Sequence, residues 1–253
     1  MNLAQTLIDV FGVEPAFLAL FGVTAFVGFF ASSLFGVGGA IALMPVLMLR
    51  LSPAQAVALA APVMLFNNGL KLLVFRRHLD VRGALLVCAT ALPAAAVGAL
   101  FVSVAPERAL KAAIGGLIVL SLVVGRVFHV ELKVPSRALP LWGVAIGVAS
   151  GMCGAAGPPT AVALRGYGLV KEGFVATVAM LAVGLQLVKV PTYLATGVLS
   201  VSLLPLAGLL SLSSLLAVTL ARRIVGRLDA ERFRLILDGL LGAMAVWLLW
   251  QVV

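Results

Sequence analysis

The chain has 253 residues, of which 63% are hydrophobic and only 11% are charged. A soluble domain of this size is about half apolar and about a quarter charged, so one soluble core cannot bury this many apolar side chains and a lipid bilayer must cover the rest. The formal charge of +9 does not indicate a nucleic-acid partner, because the basic residues lie in short connections between apolar segments rather than on one continuous face.

Long stretches without any charge divide the chain, for example between Glu14 and Arg50 and between Lys189 and Arg222. A membrane-spanning helix needs roughly 20 predominantly apolar residues, and it satisfies its backbone hydrogen bonds within one segment. The alternating segments of roughly 10 residues that are typical of an outer-membrane barrel are absent. The sequence therefore predicts an all-α fold, a polytopic membrane helical bundle.

In chain order, the pattern predicts two halves of similar design. The first half, 1–125, contains a broken helical hairpin at 15–50 and spans at 53–75, 82–104 and 107–125. A polar connection covers 126–137. The second half, 138–253, contains a broken hairpin at 138–166 and spans at 172–195, 200–221 and 232–253. Each hairpin is interrupted by a glycine-rich break, which covers 36–39 in the first half and 154–159 in the second.

The distribution of basic residues predicts the topology. The connections at 76–82, 126–137, 165–172 and 222–234 hold 13 of the 18 Lys and Arg residues, so the positive-inside rule places them in the cytoplasm. The two hairpins then open to opposite sides, both chain termini lie outside, and the halves form inverted-topology repeats in a bacterial inner membrane, as in many secondary transporters. An even bundle without a repeat is the alternative.

An internal sequence match supports the repeat. A shift of 118 residues sets Gly36 on Gly154 and Gly39 on Gly157. Matches among small apolar residues carry little weight in this composition. The same shift also aligns polar residues, which are rare here, and these pairs are Asn68 with Gln186 and Lys71 with Lys189.

The two breaks are the first candidates for a binding site. Glycine lets the backbone turn sharply, and Pro158 and Pro159 suit the first turn of a helix. Each break thus predicts a helix N-terminus inside the membrane, where free N–H groups and the helix dipole favour an anion. Tight helix packing through small residues is an equally good explanation of the local sequence.

Polar residues within two spans are the second candidates. Asn68 and Lys71 are three residues apart, as are Gln186 and Lys189, so each pair shares one helix face. A lysine inside the bilayer must face a cavity, find a partner or extend to the interface. Lys71 lies near Arg76 and could extend to the interface, whereas Lys189 has no charge near it on its C-terminal side, which favours a cavity.

Other reactive residues give weaker signals. Asp238 is a candidate for proton coupling, although an ion pair with Arg234 is favoured. Cys88 and Cys153 lie in apolar segments without metal-ligand spacing. The spans contain no paired acid–base or metal constellation, so we expect no enzyme activity, no cofactor and no metal.

The run Phe35-Gly36-Val37-Gly38-Gly39-Ala40 and the later run from Gly151 to Pro158 resemble the paired motifs of the TauE/SafE, or sulfite exporter, family. The resemblance covers nearly the whole chain. Family motifs usually have glycine where Ala40 and Ala156 stand, so the loop shape here is expected to differ in detail. The resemblance extends to the functional positions Gly36, Gly38, Gly39, Gly154, Gly157 and Pro158.

This resemblance implies a permease for a small sulfur-containing anion such as sulfite, sulfoacetate or another organosulfonate. Alternating access between the halves is the expected mechanism; a carrier for another solute and an anion channel are the alternatives, and a homo-oligomer is left open. The predicted substrate-binding residues are Gly36, Gly38, Gly39, Ala40, Asn67, Asn68, Lys71, Gly154, Gly157, Pro158, Gln186 and Lys189.

Overall fold

The structure, a computed structural model, describes residues 14–36, 38–127, 133–169 and 171–224. Every regular element in these ranges is helical. The predicted span 232–253, Asp238, Val37 of the first break and part of the 126–137 connection lie outside the described residues. The helices are α1 Pro15–Phe35, α2 Gly39–Leu47, α3 Pro53–Phe75, α4 Val81–Val102, α5 Glu107–Val127, α6 Leu139–Cys153, α7 Gly157–Gly166, α8 Lys171–Ala195 and α9 Leu204–Ile224.

Local sequence signals set several helix starts. Ser52 caps α3, where its side chain accepts a hydrogen bond from the Gln55 backbone and the Gln55 side chain accepts one from the Ser52 backbone. Such a reciprocal capping box satisfies two N–H groups that the helix itself leaves free. Asp80 caps α4 by accepting a hydrogen bond from the Gly83 N–H. These polar caps define where long apolar helices begin.

Five helices in the described part of the chain are long and apolar enough to cross a membrane. They cover Pro15–Leu34, Pro53–His78, Val81–Val102, Lys171–Ala195 and Val201–Arg223. The first of these lies in α1, which was predicted as one arm of a broken hairpin; the 21 residues of α1 give it a length of about 31 Å. The protein is therefore a multi-pass membrane protein built as a helical bundle.

Among the described residues, the most extensive helix packing joins α4 to α6. Gly143, Gly147 and Gly151 of α6 recur every four residues along one face, and that face lies against the backbone of α4. A Cβ atom at Gly151 would lie 2.5 Å from the Ala95 carbonyl oxygen, so only glycine permits this approach. Small residues favour such close packing between membrane helices.

The packing pattern follows the 118-residue shift. Helix α4 packs on α6 and α8, and the helices at the shifted positions pack likewise, α9 on α1 and on α3. Helices α3 and α8, which correspond to each other, pack together at the centre. The two halves thus make equivalent contacts, while their opposite orientation in the membrane stays a prediction.

Candidate functional site

The two glycine-rich breaks lie against one cavity. It contains about 540 Å³ of empty space, part of which is open to solvent. Walls come from both breaks and from the central helices α3 and α8. The lining residues are Ser32, Gly36, Gly38, Gly39, Ala40, Ile41, Met64, Asn68, Ser150, Gly154, Ala155, Ala156, Gly157, Thr160, Val178, Leu181, Ala182, Leu185 and Gln186.

The first break turns at Gly36, which ends α1 with a φ of 80°. Side chains other than glycine rarely adopt this left-handed conformation. A Cβ atom at this position would also lie 2.7 Å from the Phe174 ring of α8. Helix α2 then begins at Gly39 with Gly38 as its N-cap, so its N-terminus lies at the cavity wall.

The second break also turns at a left-handed glycine, but it offers fewer backbone N–H groups. Gly154 ends α6 with a φ of 73°. Ala156, which stands where the family motif usually has glycine, has a φ of −138°, a value that any residue adopts, so alanine causes no strain there. Pro158 and Pro159 follow at the start of α7 and have no N–H to offer.

Two buried lysines stand directly behind the cavity wall. Lys71 is 1% exposed and Lys189 is 0% exposed. Lys71 Nζ donates to the Ser32 hydroxyl at 2.8 Å, and Lys189 Nζ donates to the Ser150 carbonyl oxygen at 3.1 Å. Lys71 therefore does not extend to the membrane interface in this structure, which was the alternative explanation for it.

These two contacts are equivalent under the 118-residue shift, since Ser32 corresponds to Ser150 as Lys71 does to Lys189. Neither lysine has an Asp or Glu side chain within 4.0 Å among the described residues, where the one salt bridge joins Arg50 to Glu14. Each half therefore contributes one buried lysine, whose amine is bonded to a serine that lines the cavity.

The amide side chains differ in their surroundings. Asn68 lines the cavity, and its Nδ2 donates to the Met64 carbonyl oxygen at 2.8 Å, which leaves Oδ1 as the end available to a ligand. Gln186 also lines the cavity, and its Oε1 is buried without a partner. Asn67 is 0% exposed, and neither its Nδ2 nor its Oδ1 has a partner.

The structure brings most of the predicted substrate-binding residues to one place. Those on the cavity wall are Gly36, Gly38, Gly39, Ala40, Asn68, Gly154, Gly157 and Gln186. Lys71 and Lys189 lie one residue behind the wall, bonded to Ser32 and Ser150. Asn67 and Pro158 are not among the lining residues. For all twelve predicted residues, a role in binding cargo stays a prediction.

Sequence reasoning missed the two wall serines. Ser32 and Ser150 are separated by the same 118 residues as the two lysines. Comparing polar residues across the shift would have found them, because hydroxyl groups are uncommon in these apolar segments. Thr160 was missed too; its hydroxyl lies at the cavity and donates to the Ala156 carbonyl oxygen at 2.6 Å.

Among the described residues, no three His, Cys, Asp or Glu side chains lie close enough together to hold a metal ion. Cys88 and Cys153 are both buried free thiols. The polar groups on the cavity wall are hydroxyls, amides and backbone groups, and two lysine amines lie directly behind it.

Two interrupted helices that meet at a polar cavity inside a membrane bundle are typical of secondary transporters. The family model for the sulfite exporter TauE/SafE matches residues 20–248. The chain belongs to this family and is a membrane transport protein. No curated protein and no solved structure shows significant similarity to it.

Proposed function

We propose that the protein is a secondary carrier for a small sulfur oxyanion or organosulfonate, which binds in the cavity between the two glycine-rich breaks. The observation that carries this proposal is the pair of buried lysines. A charged group inside the membrane is costly unless it is compensated, and neither ammonium has a carboxylate partner in the described part of the chain. An anionic cargo would supply the missing negative charge.

The lysines contribute more to anion binding than the helix ends do. A cargo oxygen bonded to the Ser32 hydroxyl would lie roughly 5 Å from Lys71 Nζ, because two hydrogen bonds of roughly 2.8 Å meet at an angle at the hydroxyl oxygen. At an effective dielectric constant of about 20, that separation corresponds to roughly 3 kcal/mol. One helix N-terminus contributes about 0.3–1 kcal/mol, and about 2 kcal/mol when partly buried.

The wall groups suit a tetrahedral or pyramidal oxyanion. Donors are available from the Ser32 hydroxyl, whose oxygen already accepts from Lys71, and from the N–H groups at the start of α2, which lack acceptors within the helix. The amide groups of Asn68 and Gln186 also line the cavity, one from each central helix. The family match supports a sulfur-containing anion in particular.

Alternating access follows from the proposed repeat. The equivalent packing of the two halves and the basic connections, which hold 13 of the 18 Lys and Arg residues, support inverted halves in a bacterial inner membrane with both termini outside. A reporter domain fused within the 126–137 connection should give a cytoplasmic signal. A periplasmic signal there would contradict the inverted arrangement.

Transport itself is tested with purified protein in proteoliposomes. We expect saturable uptake of radiolabelled sulfite and counterflow against unlabelled sulfite inside. Sulfate, thiosulfate, taurine and sulfoacetate serve as competitors that define the cargo class. A thermal-shift screen with the same anions gives an independent measure, because a ligand that binds the folded form raises its apparent stability.

Protein-free liposomes and the variant with both lysines replaced by methionine are the controls. Flux that rises linearly with concentration and shows no counterflow would indicate an anion channel instead. Saturable flux of a neutral or cationic solute, with no response to any sulfur anion, would contradict the proposed cargo.

A further inference from the structure

Both buried basic side chains in the described part of the chain are lysines. Lys71 and Lys189, at equivalent positions of the two halves, are 1% and 0% exposed. Arginine is the commoner basic residue in the sequence, with 13 arginines against five lysines, so composition alone does not favour lysine here. The two residue types differ in chemistry, because a lysine can release its proton in a buried site, whereas an arginine keeps its charge. A group able to exchange a proton therefore lies behind the cavity wall in each half.

The surroundings of the two amines provide hydrogen-bond acceptors but no acidic side chain. Each amine donates to a serine oxygen. In the described ranges, the helices packed against α3 bring no titratable side chain into electrostatic contact with Lys71, and those packed against α8 bring the Cys153 thiol of α6 to Lys189. On α8 itself, the Tyr193 hydroxyl is engaged with the Gly151 carbonyl oxygen. The protein groups described around each lysine therefore do not balance the charge of an ammonium group.

A buried amine in such a place changes its charge most easily when an anion arrives. Burying a charged group without an opposite charge is so unfavourable that the group commonly becomes neutral instead. A neutral amine still has N–H groups to donate to the serine oxygens, so both hydrogen bonds persist when the proton is lost. An anion bound at the cavity wall reverses the balance, because a nearby opposite charge favours the charged form of a group. Binding of the anion and binding of a proton are therefore linked.

We propose that Lys71 and Lys189 carry protons together with the anion, so that the protein cotransports protons and cargo in the same direction. Both amines are neutral while the cavity is empty, and each takes up one proton as the anion binds. With a dianion such as sulfoacetate, two ammonium groups balance one sulfonate and one carboxylate group, and the same protons leave when the cargo is released. The site then carries no net charge through the membrane in either the loaded or the empty form, which avoids the cost of an uncompensated charge there. This inference rests on the proposed carrier function and adds the coupling ion to it.

Calorimetric titration of the purified protein with sulfoacetate counts the protons. Each titration is repeated in two buffers of different ionisation enthalpy, because protons that the protein takes up come from the buffer and add its ionisation heat to the signal. The carboxyl group of sulfoacetate is ionised at neutral pH, so the anion itself does not exchange protons there. We expect an uptake of about two protons per anion bound, one for each lysine. Thiosulfate, also a dianion, is titrated in the same way as a second probe.

Variants assign the protons to the lysines. Lys71→Arg and Lys189→Arg keep a positive charge that cannot be released, so each should bind the anion with about one proton fewer. Lys71→Met and Lys189→Met should lower the proton count equally and also weaken binding, and they replace the arginine variants if those fail to fold. Cys153→Ala and Asp238→Asn are the controls. They remove the thiol near Lys189 and the acidic residue that the sequence offers for proton coupling, and both should leave the proton count unchanged.

Transport in proteoliposomes gives an independent measurement. Uptake of sulfoacetate should acidify the lumen, rise with an inward proton gradient, and show no response to an imposed potassium diffusion potential, because the loaded site has no net charge. Anion binding without proton uptake, or uptake that follows the membrane potential and moves no protons, would overturn the coupling and leave the proposed carrier function intact. Loss of the protons in Asp238→Asn but in neither lysine variant would assign them to that carboxyl group instead. Failure of every sulfur anion to bind would overturn the proposed function, and this inference with it.

Discussion

The two glycine-rich breaks occupy equivalent positions, yet they present different chemistry to the cavity. In the first half, Lys71 is held by a serine side chain, and the start of α2 keeps its N–H groups. In the second half, Lys189 is held by a backbone carbonyl oxygen, and two prolines remove N–H groups from the start of α7. Equivalent backbone geometry therefore does not give equivalent binding, and we expect the first half to contribute more to holding the anion.

Removing both buried charges should have the largest effect. We expect Lys71→Met with Lys189→Met to reduce sulfite flux at least roughly 100-fold, because about 3 kcal/mol from one lysine already corresponds to that factor. Flux is measured in proteoliposomes, with size-exclusion chromatography to verify folding. Lys111→Met, outside the site, is the control, and unchanged flux in the double variant would exclude the proposed role of the lysines.

Replacing either of the glycines that turn the chain, Gly36 or Gly154, with alanine should lower the thermal stability of the protein by different amounts. Gly36→Ala forces a left-handed alanine, which costs about 1–2 kcal/mol, and places its Cβ against the Phe174 ring, which adds about 1–3 kcal/mol. Gly154→Ala has the same backbone cost, but its nearest neighbour is the flexible end of Met44. Thermal unfolding should therefore show the larger loss for Gly36→Ala.

Reducing the size of Phe174 sharpens this comparison. Phe174→Leu should restore part of the stability lost in Gly36→Ala by relieving the packing contribution, and it should not rescue Gly154→Ala. Equal losses in the two alanine variants, or no rescue, would show that contact with Phe174 does not distinguish the breaks.

Replacing Ser32 or Ser150, the two serines on the cavity wall, with alanine should reduce sulfite transport by different amounts. Ser32→Ala removes the acceptor of Lys71, and a hydrogen bond to a charged group contributes about 1.5–3 kcal/mol, so we expect flux to fall about tenfold or more. Ser150→Ala keeps the carbonyl oxygen that accepts from Lys189, and we expect the smaller loss there. Concentration-dependent sulfite uptake by both variants measures the difference, and a larger loss in Ser150→Ala would reverse our ranking of the halves.

The smallest effect is expected at Tyr193, the equivalent of Phe75. Its hydroxyl donates to the Gly151 carbonyl oxygen at 2.6 Å, and Tyr193→Phe should cost about 1 kcal/mol of stability while sulfite flux stays within about twofold. Thermal unfolding and uptake are compared in the same preparation. A large loss of flux would indicate that this contact does more than hold α8 against α6.

Part of the site could be predicted because some residue types are rare in membrane-spanning segments and occur there for few reasons. A lysine or an amide in an apolar span is rare enough that the matched positions of Lys71 and Lys189 indicated a shared function. Glycine-rich breaks likewise marked where helices end, and the structure ends α1 and α6 at Gly36 and Gly154.

Other parts could not be predicted, since they depend on which side chains meet across helices. Sequence spacing placed Asn67 beside Asn68 as a binding residue, but adjacent helical residues point in different directions, and Asn67 does not line the cavity. The 118-residue shift aligns Ser32 with Ser150, but the contact of each serine with a lysine depends on α1 lying near α3 and α6 near α8.

The sequence by itself determined that this is a membrane-embedded helical protein with two similar halves, because hydrophobic length and charge position follow from residue type alone. The tertiary structure decided that both breaks face one cavity and that the lysines lie behind its wall. Those properties arise from contacts between residues far apart in the chain, which depend on how the helices pack against one another.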